Sequence, residues 1–328
     1  MHSPEEIYSA ILDETSQLLV GNEDAIEGLT IALLTNGHVL LEGVPGVAKT
    51  TIANLFSHAA DLDFQRIQMT PDVLPADITG THIYRENLGE FDLQRGPVFS
   101  NVVLADEINR ATPKTQSALL EAMEEGQVTI EGETLQLPHP FMVIATQNPI
   151  EYEGTFNLPE AQRDRFQFKI IIDLPERKDE REVLERFHRS PSLKPADITN
   201  VITDADIGTA RNEVNDVHVD DKVFDYILDL VEATRTHPEV EYGASPRASL
   251  AFLRSSKAAA AIHGRGYVIP DDVKRLAPLI LSHRLVLGTE ADISGRTPRE
   301  IVREVVDSVP TPDVEPAESQ KPPVAGDD

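Results

Sequence analysis

The sequence predicts an α/β fold in which a parallel sheet is followed by an all-helical domain. Short apolar runs alternate with helical patterns as far as residue 174, which is the order of a layered α/β domain. A glycine-containing loop at residues 43–50 joins the first strand to a helix, and helical patterns dominate after residue 175. We therefore expect a first domain over residues 1–174, a helical domain over residues 175–290 and a disordered, acidic, proline-rich tail over residues 291–328.

The composition restricts the class of protein. The chain has 328 residues, no cysteine and a formal net charge of -27, from 56 acidic and 29 basic residues. The lack of cysteine excludes disulfides and cysteine-based metal sites, and the negative charge repels nucleic acid except at a local basic patch. Neither a secretory leader nor an apolar run of membrane-spanning length is recognised in the sequence, so we expect a cytoplasmic protein without a membrane partner. The acid-rich, lysine-poor composition also predicts a halophilic protein, adapted to a saline cytoplasm.

Two helices are predicted before the first strand. Residues 4–19 place apolar side chains near one face of a helix, and the segment Val20-Gly21-Asn22 ends it. A second helix is predicted from about residue 23 to residue 35, because Asn36-Gly37 is a good C-terminal signal. The apolar run at residues 38–41 is then the first strand.

The loop at residues 43–50 is predicted to bind phosphate. A helix N-terminus presents unpaired N–H groups, and a loop that wraps such groups around an anion needs glycine. Lys49 would reach the outer phosphates, and the hydroxyl of Thr50 would bind magnesium. The usual pattern has glycine directly before the lysine, where this chain has Ala48. An ordinary strand-to-helix turn is the alternative, but Gly46, Lys49 and Thr50 in register favour the phosphate loop.

A buried strand at residues 101–107 ends in two acids. It follows a second strand at residues 64–69 and a long insertion at residues 70–97, which is predicted to be irregular. Ligands of a parallel sheet bind at the carboxyl ends of its strands, so Asp106 would hold hydrated magnesium and Glu107 would polarise a water. A helix cap or a solvated acidic turn is the alternative, and the spacing after the phosphate loop favours the first interpretation.

Another buried strand, at residues 141–146, ends in Gln147-Asn148-Pro149. The Asn148 amide either orients the attacking water or forms a turn before proline, and the residues alone favour neither. The other elements predicted for the first domain are a helix at residues 113–125, a hairpin at residues 128–137, a short helix at residues 159–166 and a final strand at residues 168–172.

The second domain is predicted to be helical throughout. Arg247 lies in the first turn of a helix capped by Ser245, where the helix dipole disfavours a cation. It is therefore either placed to meet an anion or simply solvated. The helical patterns fall at about residues 178–188, 204–215, 220–235, 246–263 and 270–285.

Long, ordered and correctly spaced runs resemble the AAA+ ATPases, and among them the MoxR family. The resemblance extends over about residues 1–290. The matching runs are GHVLLEGVPGVAKT (37–50), RIQMTPDVLPAD (66–77), LADEINR (104–110), QSALLEAM (116–123), ATQNP (145–149), LPEAQ (158–162) and GASPRA (243–248). The run ending in Ala-Lys-Thr resembles the family's own form of the phosphate loop.

The resemblance implies a P-loop AAA+ core with a helical lid, and an enzyme that hydrolyses ATP with Mg2+. It implies that Thr50 and Asp106 serve the metal and that Glu107 is the catalytic base. Asn148 is similar to the first sensor, and Arg247 is similar to the second. The residues implied to hold the nucleotide are Val20 and Gly21 on the adenine side, then Gly43, Val44, Pro45, Gly46, Val47, Ala48, Lys49, Thr50 and Thr51.

The resemblance also implies a homo-oligomer, expected to be a hexameric ring. Arg165 resembles an arginine finger that reaches the nucleotide of a neighbouring subunit, although Arg163, where the family usually has an apolar residue, competes for this role. Residues 70–97 resemble the family's helix-2 insertion, and residues 126–139 resemble its hairpin before the first sensor.

The function expected from the resemblance is chaperone-like. Such ATPases remodel, mature or activate partner protein complexes, often with a partner that carries a von Willebrand factor A domain. A chelatase-type motor subunit and a DNA-translocating AAA+ ring are the alternatives. The net charge of the chain and the hairpin at residues 128–137, which has acids but no lysine or arginine, argue against DNA.

Overall fold

The apolar runs of the first domain form a five-stranded parallel sheet. The computed structural model describes residues 2–86, 89–149, 155–189 and 197–314. The strands up to residue 174 are β1 (Val39–Glu42), β2 (Phe64–Gln68), β3 (Gly80–Arg85), β4 (Glu90–Arg95), β5 (Val102–Asp106), β6 (Gln127–Ile130), β7 (Glu133–Gln136), β8 (Met142–Gln147) and β9 (Phe168–Ile171). The sheet order is β2-β5-β8-β1-β9, and every neighbouring pair is parallel.

Helices accompany the sheet, as expected for a layered α/β domain. Strand β5 is buried along its whole length, which explains why it is a continuous apolar run rather than an alternating one. Helix α5 begins after Thr112, whose side chain accepts from the N–H of Thr115, and ends at Gly126 in the left-handed region. The helices up to residue 216 are α1 (Pro4–Thr15), α2 (Glu23–Leu34), α3 (Lys49–Ala59), α4 (Pro75–Thr79), α5 (Pro113–Glu125), α6 (Glu160–Arg163), α7 (Arg177–Arg189) and α8 (Asp204–Asp216).

The insertion at residues 70–97 is more regular than the sequence predicts. It contains the short helix α4 and the antiparallel pair β3–β4. Gly80 joins them with φ of 96°, and a Cβ there would collide with the Gln94 carbonyl oxygen. The hairpin predicted at residues 128–137 is confirmed as the pair β6–β7.

The chain divides into two compact units, at a different place from the predicted boundary at residue 174. Unit 1 comprises Met1–His2 and Glu6–Thr209, and unit 2 comprises Ser3–Glu5 and Ala210–Asp328. Hydrogen bonds explain why residues 175–209 join unit 1. The N–H of Thr199 donates to Glu14 Oε1 over 2.7 Å, and the N–H of Val201 donates to the Ala59 carbonyl over 3.1 Å.

Unit 2 is helical, as predicted, with one short addition. Strands β10 (Val240–Tyr242) and β11 (Val286–Leu287) form an antiparallel pair. The helices of this unit after α8 are α9 (Asp221–Thr236), α10 (Pro246–Ile262), α11 (Pro270–Leu281), α12 (Thr289–Ile293) and α13 (Pro298–Ser308).

Helix α13 corrects the prediction that residues 291–328 form a disordered tail. A reciprocal cap starts it, because the N–H of Thr297 donates to Glu300 Oε2 and the N–H of Glu300 donates to Thr297 Oγ1. Its side chains Ile301, Val302 and Val305 are buried. The folded chain therefore continues to at least Ser308, while residues 315–328 lie outside the described part. Among the described residues, no helix combines the length and hydrophobicity needed to span a membrane.

Candidate nucleotide-binding site

Three neighbouring strands end at one edge of the sheet and place the predicted phosphate, metal and water groups together. The loop at residues 43–48 follows β1, Glu107 follows β5, and Asn148 follows β8. Because these strands are parallel and adjacent, their carboxyl ends meet. They border a cleft of about 450 Å³ lined by Pro45, Gly46, Val47, Ala48, Lys49, Thr50, Thr51, Arg66, Asp106, Glu107 and Asn148.

The loop after β1 has the backbone that phosphate binding requires. Gly46 has φ of 88°, and a Cβ on Gly43 would collide with the Ile172 carbonyl oxygen. Ala48 lies just before α3 with φ of 66°, so it is outside the helix. Its left-handed conformation explains why glycine is the usual residue. The Lys49 ammonium donates to the carbonyls of Gly43 and, over 3.1 Å, of Val44.

Asp106 is almost fully buried, with 6% of the residue exposed, and hydrogen bonds satisfy both of its oxygens. Thr146 Oγ1 donates to Oδ1 over 2.5 Å, and Thr50 Oγ1 donates to Oδ2 over 3.2 Å. The same Oδ2 accepts from Arg66 Nε at 2.9 Å and lies 2.7 Å from Arg66 Nη2. A hydroxyl and a carboxylate side by side are hard oxygen donors, which fit Mg2+ at this point.

Glu107 lines the same cleft, and its carboxylate accepts from side chains of β2 and of the residues after β5. Its φ is 59°, and its N–H donates to Thr146 Oγ1 over 2.8 Å. Glu107 Oε2 accepts from Gln68 Nε2 at 2.8 Å and from Arg110 Nη1 at 2.9 Å. A carboxylate beside the phosphate loop is the type of group that can act as a general base. Asn148 is also buried, with 4% exposed.

The predicted adenine-side residues border a second cleft of unit 1. Val20 and Gly21 line a space of about 360 Å³ together with residues 170–176 at the end of β9. Gly21 has φ of 70°, so it turns the chain between α1 and α2 in a conformation that suits glycine.

Arg163 is the last residue of α6 and Arg165 follows two residues later, and neither lines these clefts. The Arg165 guanidinium pairs with the Glu124 carboxylate at 2.9 Å. Arg163 Nε is buried without a hydrogen-bond partner among the described residues. Arg247 belongs to unit 2, where its N–H donates to Ser245 Oγ over 3.2 Å at the start of α10. Its role as a second sensor stays a prediction.

Arg66 lines the cleft, and Gln68 and Thr146 contact its acids, but the sequence patterns revealed none of the three. Arg66 and Gln68 are two residues apart on β2, so their side chains lie on the same face of that strand. The register between β2 and β5 pairs Gln68 with Asp106. The available signal was two polar side chains two residues apart at the end of a predicted strand. Thr146, the fifth residue of β8, is the small polar residue at the end of an apolar run.

Comparisons with known proteins support the fold of both units. Residues 38–168 match the family model described as "ATPase family associated with various cellular activities (AAA)", and residues 232–305 match the "AAA lid domain". The chain is 48% identical to the protein YeaC of Bacillus subtilis over 92% of this chain and 93% of that protein. It is 43% identical to the chaperone MoxR1 of Mycobacterium tuberculosis over 92% of this chain and 81% of that protein.

A solved structure supports the fold over nearly the whole chain. The crystal structure of a candidate ATPase from Cytophaga hutchinsonii superposes with a TM-score of 0.87 at 42% sequence identity. The match covers 94% of this chain and 96% of that one.

Proposed function

Because the chain belongs to the MoxR family of AAA+ ATPases, we propose that it hydrolyses ATP with Mg2+ to remodel partner protein complexes. One observation carries the hydrolytic part of this proposal. A single cleft joins the loop lysine and threonine, Lys49 and Thr50, to Asp106, Glu107 and Asn148. These are the groups needed to hold phosphates, to hold the metal and to activate a water.

Each cleft residue has a role that its position supports. The loop N–H groups and the Lys49 ammonium bind the phosphates. Thr50 and Asp106 hold the hydrated Mg2+, which neutralises charge that develops on the phosphates. Glu107 accepts a proton from the attacking water, and the Asn148 amide orients that water. The cleft beside Val20 and Gly21 takes the adenine.

The functional form in this proposal is a hexameric ring. Arg165 is the residue proposed to reach the nucleotide of a neighbouring subunit, which makes hydrolysis depend on assembly. Arg163 is the weaker candidate, since its Nε is buried. Light scattering with and without Mg-ATP, on the Glu107→Gln protein in molar KCl, tests the ring. A protein that remains monomeric in both conditions contradicts it.

The proposed client is a protein complex, with a von Willebrand factor A domain protein as the candidate partner. The chaperone named among the relatives supports this class of client. The alternative of a DNA-translocating ring is disfavoured by the net charge of -27 and by the strand pair β6–β7, which carries Glu133 but no basic residue. A chelatase-type motor subunit would differ from the proposed remodeller in its partner protein, so identification of the partner distinguishes the two.

The test of the proposed function is phosphate release from ATP by the purified chain. We expect turnover in Mg2+ and none in EDTA, and Glu107→Gln as a control should retain ATP binding. Turnover that is equal in Mg2+ and EDTA contradicts the metal role. Salt-sensitive DNA binding at moderate ionic strength would instead favour the DNA-translocating ring.

A further inference from the structure

Arg66 contacts the same oxygen of Asp106 that Thr50 contacts. Its Nε lies 2.9 Å and its Nη2 lies 2.7 Å from Asp106 Oδ2. The Arg66 side chain is 50% exposed, whereas that of Asp106 is 9% exposed. The guanidinium therefore reaches from the open part of the cleft to the buried carboxylate that is proposed to hold hydrated Mg2+.

The same guanidinium also contacts the residue that holds Glu107. Arg66 Nη2 donates to Gln68 Oε1 over 2.6 Å, and Gln68 Nε2 donates to Glu107 Oε2 over 2.8 Å. The parallel register explains this arrangement, because Gln68 is paired with Asp106 across β2 and β5. A continuous chain of hydrogen bonds thus joins the two acids through Arg66 and Gln68.

Two properties of these hydrogen bonds suggest that metal binding at Asp106 is coupled to the orientation of Glu107. A guanidinium and a hydrated divalent cation repel each other at hydrogen-bond distance from one carboxylate oxygen. The terminal amide of Gln68 has a broad torsional preference, so its orientation depends on its partners. With Arg66 on Oε1, the amide must present its N–H group to Glu107.

We propose that Arg66 is a positioning residue that competes with the nucleotide's magnesium ion for Asp106 and, through Gln68, restrains Glu107. When the metal binds, the guanidinium leaves Asp106 Oδ2 and the amide of Gln68 loses its fixed orientation. Of the two donors on Glu107 Oε2, the Gln68 amide is then released and Arg110 remains, so Glu107 is less restrained when it accepts a proton from water. The proposal rests on the proposed ATPase function and adds a reason why metal binding and base activation occur together.

The first experiment isolates the competition without hydrolysis. Calorimetric titrations measure the affinity for ADP at a series of Mg2+ concentrations and constant ionic strength. The affinity for ADP should rise with Mg2+, and the readout is the Mg2+ concentration at which half of this rise is reached. We expect Arg66→Gln to lower that concentration roughly three- to tenfold, because a half-exposed ion pair is lost. Arg85→Gln is the matched control: it removes the same charge from an exposed pair with Asp92, outside the residues that line the cleft.

The possible outcomes separate this inference from the proposed function. An unchanged Mg2+ requirement in Arg66→Gln overturns the competition. A higher requirement overturns it as well, and assigns Arg66 to the support of Mg-ADP. If the unsubstituted chain does not bind ADP at any Mg2+ concentration, the result contradicts the proposed ATPase function itself, and not only the role of Arg66.

The second experiment tests the link to Glu107 at saturating Mg2+. Gln68→Ala should raise basal kcat roughly two- to fivefold without a change in KM, since Glu107 loses one restraining donor. Arg66→Gln should give a similar rise, and the double variant should rise no further, because residues that act as one unit are non-additive. Additive effects, or a fall in kcat, overturn the coupling.

Arg66→Lys separates the two parts of the proposal and guards against misfolding of Arg66→Gln. Lysine keeps the charge but lacks the planar fork that contacts Asp106 and Gln68 together. We therefore expect the Mg2+ requirement of the unsubstituted chain together with the kcat of Gln68→Ala. A lysine variant that resembles the unsubstituted chain in both readouts contradicts the role of the fork.

Discussion

The Arg165 guanidinium lies 2.9 Å from the Glu124 carboxylate of the same chain. Both side chains are partly exposed, so the pair contributes only about 0.2–1 kcal/mol. An arginine that acts on a neighbouring subunit has to give up this partner. Glu124 therefore competes with the neighbour's nucleotide for the proposed finger.

We predict opposite effects from substituting the two partners. Arg165→Ala should lower turnover roughly 10³-fold or more while ATP affinity is retained, whereas Glu124→Gln should raise it up to about fivefold by freeing the finger. Mixing Arg165→Ala with Lys49→Ala subunits, which keep their own finger, should restore part of the activity. Steady-state turnover measures all three. If neither the loss nor the restoration occurs, Arg163 becomes the candidate.

Glu107→Gln should bind Mg-ATP with nearly unchanged affinity and lower kcat about 10²- to 10⁴-fold, because the amide cannot accept the proton of the attacking water. The amide is nearly isosteric with the carboxylate, so the fold should be kept. Nucleotide titration and single-turnover hydrolysis check the two parts separately. Unchanged turnover would remove Glu107 from the mechanism.

Ala48→Gly should preserve ATPase activity and either leave stability unchanged or raise it by up to about 1.5 kcal/mol. Glycine relieves the left-handed backbone at Ala48, where φ is 66°, which is worth roughly 1–2 kcal/mol. It also loses more conformational entropy on folding, which costs roughly 0.5–1 kcal/mol. Chemical denaturation measures the difference. Ala48→Val is the contrasting variant, which should destabilise the protein because a β-branched residue tolerates this φ poorly.

The buried ring of His38 should make the stability of the protein depend on pH. Its Nδ1 accepts from the Val143 N–H at 3.0 Å and its Nε2 faces the Met123 carbonyl at 3.1 Å, an arrangement that requires the neutral ring. Burial lowers the pKa of His38 from 6.5 to about 4. The unfolded chain therefore binds the extra proton first, and stability falls as the pH drops from about 6.5 toward 4, by at most about 3 kcal/mol.

The readout for His38 is the difference between two stability profiles, since many carboxylates titrate in the same range. His38→Gln removes the titrating group and should flatten the profile between pH 6.5 and 4, although it lowers stability overall. Denaturant unfolding of both proteins at several pH values gives the comparison. Parallel profiles would show that His38 contributes nothing to the slope.

The net charge of -27 predicts a protein that salt stabilises. Self-repulsion of a strongly charged chain weakens when ions screen it, and a halophilic protein should continue to gain stability up to molar salt. The midpoint of thermal unfolding should rise steeply with KCl across that range. A midpoint that does not depend on salt would count against the saline habitat.

Local signals determined much of the site. Apolar runs of four to six residues followed by Gly, Asp or Asn specified the ends of β1, β5 and β8, and a parallel sheet brings such ends together. Lys49, Thr50, Asp106 and Glu107 could therefore be assigned to one site from their sequence positions, whereas the residues alone left the role of Asn148 undecided. The start of α13 also had a local signal, the Thr297–Glu300 cap, but the prolines that follow obscured it.

What the sequence by itself determined was the order of strands and helices and the residues that follow each strand, because these depend on near neighbours in the chain. Only the tertiary structure decided the partners of those residues. The contact of Arg66 and Gln68 with Asp106 and Glu107 depends on the pairing of β2 with β5, and that of Arg165 with Glu124 on the packing of distant segments. Such contacts depend on register and packing between segments about 40 residues apart, so they cannot be predicted from the local sequence pattern.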